Sequence, residues 1–550
     1  MAGPVCFPPY DRVMKAADVL ELPALRPLKD RVYRGLWLAW LTANLTMWTH
    51  DVAAAWLMTQ LTDSAVMVAL VQTASTLPVF LLGIASGAMA DIVDRRLWFA
   101  GTQAWVCVTA LLLALLALAD GLNAQLLLVL TFVNGIGLAA RWPVFSAIVP
   151  DVVPKPHLPA ALALGGISMN LSRVIGPVIA GALLASAGPA VVFVLNAMMA
   201  AVAFGLIWRW KSEPRPSALP GERFVGAMRV GLQHVRQSPR MRVVIARVFL
   251  FFLQASALLA LLPLIARSTG HGAAMYTAMM SCLGAGAIAA ALQFPRWRER
   301  LDRDQFVRYG TMAHAVLSTL IVSLPTPWIV LPAVALLGAA WISTANSLVL
   351  SAQQALPNWV RARGMSIYQM ALMGGTAIGA GLWGQVAGWT TVPAAVTAAA
   401  LAGVMALYAT RRWSVEGGGD PDLSPQPPRA VTGVALDIAP DEGPVMVVIE
   451  YLIDPTRATE FARVMQSTRR ARLRQGALSW GLFKDAGVPG RYVEYFVDEC
   501  WVEHLRRHER FTAADDELRA QRLAFHLGSQ PPAVKRYVAE TLAAEPSMPL

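Results

Sequence analysis

The chain has 550 residues, 56% of them hydrophobic and only 15% charged. That composition excludes an ordinary multi-domain soluble protein: apolar runs of about 18 or more residues recur through the first three quarters, each long enough to cross the hydrocarbon of a bilayer. The formal net charge is +11, yet acids and bases nearly cancel beyond about residue 441, so the excess lies in short loops between apolar runs. That is the positive-inside pattern of a membrane protein, and no nucleic-acid partner is expected.

The first 34 residues are mixed and charged, with no short apolar core followed by a small-residue cleavage site, so the first span is expected to stay as an anchor. Spans are predicted at 35–60, 65–90, 97–119, 124–149, 158–186 and 189–209, then at 243–267, 272–294, 308–325, 327–350, 364–387 and 391–411. The predicted fold is an all-α polytopic membrane protein of twelve helices in two six-helix halves, 35–209 and 243–412, followed by an α+β domain. A basic connection at 210–242 divides the halves and is expected to include an amphipathic surface helix near Phe224–Val235. Arg26 to Arg34 precede the first span, Arg95 and Arg96 follow the second, Lys155 follows the fourth, Arg296 to Arg303 follow the eighth, Arg361 and Arg363 precede the eleventh, and Arg411 and Arg412 end the twelfth. The opposite turns hold almost none, Arg267 excepted. Both termini are therefore expected on the cytoplasmic side of the inner membrane, and an odd span count would break this alternation.

Between spans 2 and 3 lies Gly87-Ala-Met-Ala-Asp91-Ile-Val-Asp-Arg95-Arg96. Gly87 allows close helix approach, Asp91 can accept from a neighbouring helix's first amides, and the arginines mark the cytoplasmic side. This G-x-x-x-D-x-x-x-R-R stretch resembles the signature loop of the major facilitator superfamily, which implies a transporter whose loop holds a gate. The halves echo each other: Ser146-Ala-Ile-Val-Pro150-Asp leaves span 4, and Ser351-Ala-Gln-Gln-Ala-Leu-Pro357-Asn leaves span 10. Such a repeat suits two halves with a substrate path between them. Span 5 carries Asn170-Leu-Ser-Arg173-Val-Ile-Gly176-Pro177-Val-Ile-Ala-Gly181, a proline kink with flanking glycines. It resembles the superfamily's exporter-associated G-P-x-x-G element with one extra residue. Span 11, with Gly374, Gly375, Gly379, Gly381 and Gly384, is expected to be a second close-contact helix.

Residues 413–440, with Gly417-Gly-Gly-Asp-Pro421 and Pro425-Gln-Pro-Pro428, read as a disordered linker. After it come a strand at Val445–Ile453, a helix opened by Asp454-Pro455, two strands joined by a Gly-Val-Pro-Gly turn, a helix from Trp501 to about His526, and a strand at Val534–Val538. This β-α-β-β-α-β order is ferredoxin-like. Asp51-Val-Ala-Ala-Ala-Trp-Leu-Met, the loop of Arg95 and Arg96, and the span-5 element resemble the enterobactin-exporter-like branch of the superfamily, its transmembrane secretion effector group. Trp480-Gly-Leu-Phe and Arg491-Tyr-Val-Glu-Tyr-Phe resemble a cytosolic tail similar to antibiotic-biosynthesis-monooxygenase domains. The resemblance implies a secondary exporter of a small molecule such as a siderophore, with a tail that pairs as a homodimer.

Charged groups within spans are functional candidates, because burial in lipid is expensive. Asp51 in span 1 is a proton-coupling candidate with His50 beside it, and Asn44 and Trp48 share its helix face. Arg173 is expected to face a cavity, and Arg141 to be an interface residue. Asn134, Asn170, Asn196 and Gln254 are candidate substrate contacts or helix–helix hydrogen bonders. Gly135-Ile-Gly137 follows Thr131-Phe-Val-Asn134 without the arginine that many proton-driven members carry there, which shifts the coupling role to Asp51. Cys6, Cys107, Cys282 and Cys500 form no C-x-x-C pair, and His504 and His508 have no third ligand at a recognisable spacing, so no metal or cofactor is expected. That charged helix is read as a solvated face or dimer contact. With no activating constellation visible, the tail is expected to be a dimerisation or regulatory module rather than an enzyme.

Overall fold

The computed structural model describes residues 25–210, 224–416, 422–427, 436 and 438–540. Most of the predicted N-terminal tail and linker, part of the basic connection, and the side chains of Gly87 and Asp91 lie outside the described residues. The first half comprises α1 (Arg31–Leu61), α2 (Ala65–Ile92), α3 (Arg95–Leu118), α4 (Ala124–Val152), α5 (Leu158–Ala187) and α6 (Pro189–Trp208). After α7 (Phe224–Gln237), the second half comprises α8 (Pro239–Ser268), α9 (Gly272–Trp297), α10 (Arg303–Ser323), α11 (Pro327–Gln354), α12 (Arg361–Trp389) and α13 (Val392–Ala409). Polar caps start them: the Asp30 carboxylate accepts from the amides of Val32 and Tyr33, and Asp302 and Gln305 form a reciprocal capping box. Among the described residues, nine helices are long and apolar enough to cross a membrane.

Two ends of the helical body can be told apart. The basic end carries Arg95, Arg96, Arg209, Arg361, Arg363 and Arg411. Near the opposite end one apolar core joins both halves, with Trp56, Val68, Leu127 and Phe193 from the first and Leu261, Tyr276, Val334 and Ala380 from the second. Toward the basic end the core divides. Tyr33, Trp40, Phe99 and Val144 form one cluster, and Met241, Phe252, Leu348 and Tyr368 form another. The described halves are thus fused at one end and separately packed at the other.

Small residues make the fused contact, because packing rather than hydrophobicity drives helix association in lipid. α2 runs along α12, where a Cβ at Gly374 would lie 2.7 Å from Phe80 and the Thr73 hydroxyl donates to the Ala377 carbonyl at 2.9 Å. α5 meets α9, where Gly181 faces Thr277 and Gly284 faces Val174. Arg267 adds bonds from α8 to the Thr59 carbonyl (2.9 Å) and Asp63 (2.8 Å). The one basic residue on this side of the sequence therefore spans the two halves.

The C-terminal segment forms β1 (Val445–Leu452), α14 (Ala458–Arg474), β2 (Ser479–Lys484), β3 (Arg491–Asp498), α15 (Trp501–Glu509), α16 (Ala513–Leu523) and β4 (Val534–Val538). Its sheet runs β2-β3-β1-β4, antiparallel throughout. Alternate residues Val445, Val447, Ile449 and Tyr451 pack on Phe461, Met465, Phe496 and Trp501. The predicted single helix from Trp501 to His526 is corrected to two. Thr512 and Asp515 form a capping box that starts α16 afresh.

The predicted solvated face at Trp501–His508 is also corrected. His504 and Arg507 are buried because β3 places two carboxylates beneath them. Asp498 accepts from His504 Nδ1 (2.8 Å) and pairs with Arg507 (3.0 Å), while Glu494 accepts from Arg472 (3.1 Å), Trp480 Nε1 (3.1 Å) and the Tyr451 hydroxyl (2.9 Å). Burial alone would raise Glu494, but the Arg472 and Arg522 charges and these hydrogen bonds hold it below the usual carboxylate range. Burial, reinforced by the Arg507, His504 and Arg536 charges, pushes His508 down to about 3.

Two outcomes are expected. Glu494→Ala strands Arg472 without its buried partner and should destabilise the sheet by about 3–5 kcal/mol, read as loss of amide protection in β1 and β3. Acid acts in the same direction. His508 titrates lower folded than unfolded, so its contribution is intact above about pH 6.5 and declines as pH falls toward its folded value. Glu494 and Asp498, also held low, add a loss at still lower pH. Protection factors in β1 and β3, corrected for the intrinsic slowing of amide exchange in acid, should therefore fall from about pH 6.5 downward; protection factors unchanged until well below pH 4 would contradict the burial of His508.

Candidate functional site

α1 supplies the first part of the site. Residues 44, 48 and 51 follow one helix face, and Asp51 at its end is half-buried. The Ser75 hydroxyl of α2 donates to Asp51 Oδ1 at 2.7 Å. The Asp51 charge also interacts with Arg141 of α4 and with buried Tyr276 of α9, in the other half. Tyr276 stacks on Trp56 with ring centroids 6.0 Å apart. Asp51 therefore stands where the two halves meet.

Arg141 is buried and clamps α4 onto α1. It donates to the Ala43 carbonyl and to Asn44 Oδ1 (3.2 Å), and lies over the Trp40 ring at 5.3 Å. The expectation of an interface role is met, but its charge also bears on Asp51. An arginine is thus present on this helix, one turn after Gly137 rather than before the G-x-G. Motif spacing misses it, because nothing in sequence relates position 141 to position 51.

His50 does not partner Asp51. Successive residues on a helix point about 100° apart, and His50 turns into the first half's core, buried 5.8 Å from the Phe193 ring. The expectation that it assists Asp51 or lines the path is corrected.

Arg173 forms the second part. It is half-buried on α5, 5.4 Å from the Trp48 ring of α1 and 4.7 Å from the Trp341 ring of α11, one tryptophan from each half. Gly176 makes this possible: a Cβ there would lie 2.6 Å from Trp48 Cβ. Among the described residues, Arg173 Nε and Nη1 and both indole N–H groups have no hydrogen-bond partner. Four unmatched donors thus converge between the halves. Trp341 was not foreseen, since an aromatic in an apolar span carries no sequence signal.

Pro177 sits within an unbroken α5, and Gly176 and Gly181 serve opposite neighbours, Trp48 of α1 and Thr277 of α9. Asn170, half-buried, precedes Arg173 by one turn. Three other asparagines bond to neighbouring helices: Asn44 accepts from Arg141 (3.2 Å), Asn134 accepts from Thr109 (3.1 Å), and Asn196 accepts from Thr49 (2.5 Å). Gln254 lies in a small crevice with Thr311 and Gly403 of α10 and α13. These three asparagines thus satisfy neighbouring helices, as polar groups inside lipid do, whereas the Gln254 amide has no hydrogen-bond partner among the described residues.

At the basic end, Asp94 caps α3, accepting from the amides of Arg96 (2.9 Å) and Leu97 (3.1 Å). Arg95 pairs with Asp151 of α4 at 2.6 Å, and Arg96 donates to the Trp208 carbonyl of α6. These contacts stay within the first half. The side chains of Gly87 and Asp91 lie outside the described residues. Among the described residues no group of three metal-ligating side chains occurs.

The family described as transmembrane secretion effector matches residues 22–543. The chain belongs to that family. It is 29% identical over 139 residues to the staphyloferrin A transporter of Staphylococcus aureus, covering 25% of this chain and 35% of that one. It is 23% identical over 241 residues to macrolide efflux protein A of Streptococcus pyogenes, covering 43% and 59%. The alignments thus span about a third and three fifths of those relatives' lengths. Among solved structures, an auto-inhibited POT family peptide transporter matches with a TM-score of 0.59 at 12% identity, over 70% of this chain and 96% of that one. The nucleoside transporter NupG matches with a TM-score of 0.55 at 13% identity, over 70% and 100%. These likenesses show the fold. The family and its relatives are transporters, not enzymes.

Proposed function

We propose that the chain is a secondary active exporter of a small acidic organic molecule, working by alternating access between two six-helix halves and coupled to protons through Asp51. The observation that carries this is the donor cluster of Arg173, Trp48 and Trp341, set between the halves without acceptors. A fixed cation with two indole N–H groups suits an anion or a ligand rich in oxygen acceptors. Asp51 is the titratable acid at the same interface, in contact with Ser75 and within the electrostatic reach of Arg141 and Tyr276.

On this reading all twelve long helices cross the inner membrane, with the basic end and both termini in the cytoplasm. The fused core then lies on the far side and the divided cores on the cytoplasmic side, an inward-open arrangement. The tail, read as ferredoxin-like from its strand order, hangs in the cytosol. Its outer sheet face, with Met446, Leu452, Phe483 and Tyr537 exposed, is the surface through which we propose it pairs with a second copy.

A siderophore or similar metabolite fits the donor cluster, and the staphyloferrin A transporter relative supports that class. The macrolide efflux relative supports a second, cationic class. Erythromycin susceptibility separates them: deleting the gene should leave susceptibility unchanged on the acidic-substrate reading, and a marked sensitisation would overturn it.

A further inference from the structure

Between the helical body and the tail lies a cavity of about 380 Å³, at the small end of the range for ligand pockets. It is distant in chain terms from the Asp51–Arg173 site, being built from the α7–α8 junction, the α11–α12 loop, and the ends of α14 and α15. The tail closes it by docking on α7: Arg229 pairs with Glu499 at 2.6 Å, and Gln233 donates to the Ala477 carbonyl at 2.7 Å.

The polar groups on its walls are incompletely matched. His234 and Gln475 are 5% and 3% exposed, yet His234 Nδ1 and Gln475 Oε1 have no hydrogen-bond partner. Burial and the nearby Arg474 charge push the His234 ring down to about 4, so it is neutral. Its other side contacts the Arg474 backbone carbonyl, which leaves Nδ1 as an acceptor. The same walls carry two donors, with the Trp359 ring 5.5 Å from the His234 ring. The Trp359 indole N–H is buried without a partner, and the half-buried Arg474 side chain makes no hydrogen bond among the described residues, its charge balanced only at a distance by Asp515. Asp515 is itself held by Thr512 at 2.8 Å and 3.0 Å. Arg510 is occupied with Glu503 and the Gln475 carbonyl, each at 2.8 Å. Val243, Ala355, Pro357 and Leu423 fill the wall between with apolar surface.

Buried acceptors and donors left unmatched cost stability unless something satisfies them. We infer that this cavity binds a small hydroxy acid or amino acid, its carboxylate on Arg474 and the Trp359 N–H, its O–H or N–H donor on His234 and Gln475, and its apolar body against the wall. The ligand bridges the tail and the α11–α12 loop, so its occupancy holds the tail against the helical body.

The test uses the full chain in lipid nanodiscs, titrated calorimetrically with 4-hydroxybenzoate, benzoate and 4-hydroxybenzamide. One 4-hydroxybenzoate should bind per chain. Loss of the carboxylate should weaken binding by about 10-fold or more, and loss of the hydroxyl by about 3- to 10-fold. Arg474→Gln should lower 4-hydroxybenzoate to the level of the amide, and Gln475→Leu should abolish its advantage over benzoate. Leu423→Trp, which fills the cavity and removes none of these polar groups, should block binding even if Arg474→Gln impairs folding. Arg173→Ala should leave this binding unchanged. No measurable heat with millimolar 4-hydroxybenzoate, binding that survives Leu423→Trp, or binding lost with Arg173→Ala would each overturn the assignment.

Discussion

Asp51→Asn is expected to reduce export to the level of a deletion, a loss on the order of 100-fold, with membrane insertion and abundance unchanged. Asn is nearly isosteric with Asp and can still accept the Ser75 hydroxyl bond made at 2.7 Å, so the α1–α2 contact survives. What disappears is a group that can be charged in one state and neutral in another. Arg141 and Tyr276 are within its electrostatic reach and belong to different halves. A change in the Asp51 charge is therefore felt on both sides of the moving interface, as alternating access requires. The expected signature is loss of turnover with substrate binding retained. If Asp51 were only a helix tie, the Asn variant would export normally.

Arg173→Ala is expected to act differently, weakening substrate engagement by about 10- to 100-fold, the worth of a hydrogen bond to a charged group. Turnover at saturation should be less affected. Arg173→Lys should recover part of the loss, keeping the charge but not the planar fork that faces Trp48 and Trp341. Dose dependence of export in cells overproducing the substrate separates the two variants. Equal loss in the Lys and Ala variants with poor membrane insertion would instead mark Arg173 as structural.

The helices were legible because bilayer thickness and charge alternation both leave marks in sequence. The predicted span at 65–90 is observed as Ala65–Ile92, and that at 272–294 as Gly272–Trp297. The amphipathic helix after the first half was legible from its polarity and is observed at Phe224–Gln237. Partner choice was not legible. His50 and Asp51 are adjacent in sequence yet face a core phenylalanine and an inter-half contact respectively. Arg141 and Asp51 are 90 positions apart and interact across helices packed closely at Gly135, where a Cβ would lie 3.0 Å from the Ser75 carbonyl of α2. In the tail, the break before α16 was written in Thr512-x-x-Asp515. The burial of His504 was not, since a charged helix becomes a buried one only when a strand brings matching carboxylates beneath it.

The central claim is tested most directly by an untargeted mass comparison of culture supernatants and cell extracts from wild-type, deletion and Asp51→Asn strains, grown with and without iron. A small acidic compound released by the wild type and retained inside both other strains is the result this structure predicts. Identical profiles across the three strains under both conditions would contradict export as the function of this chain.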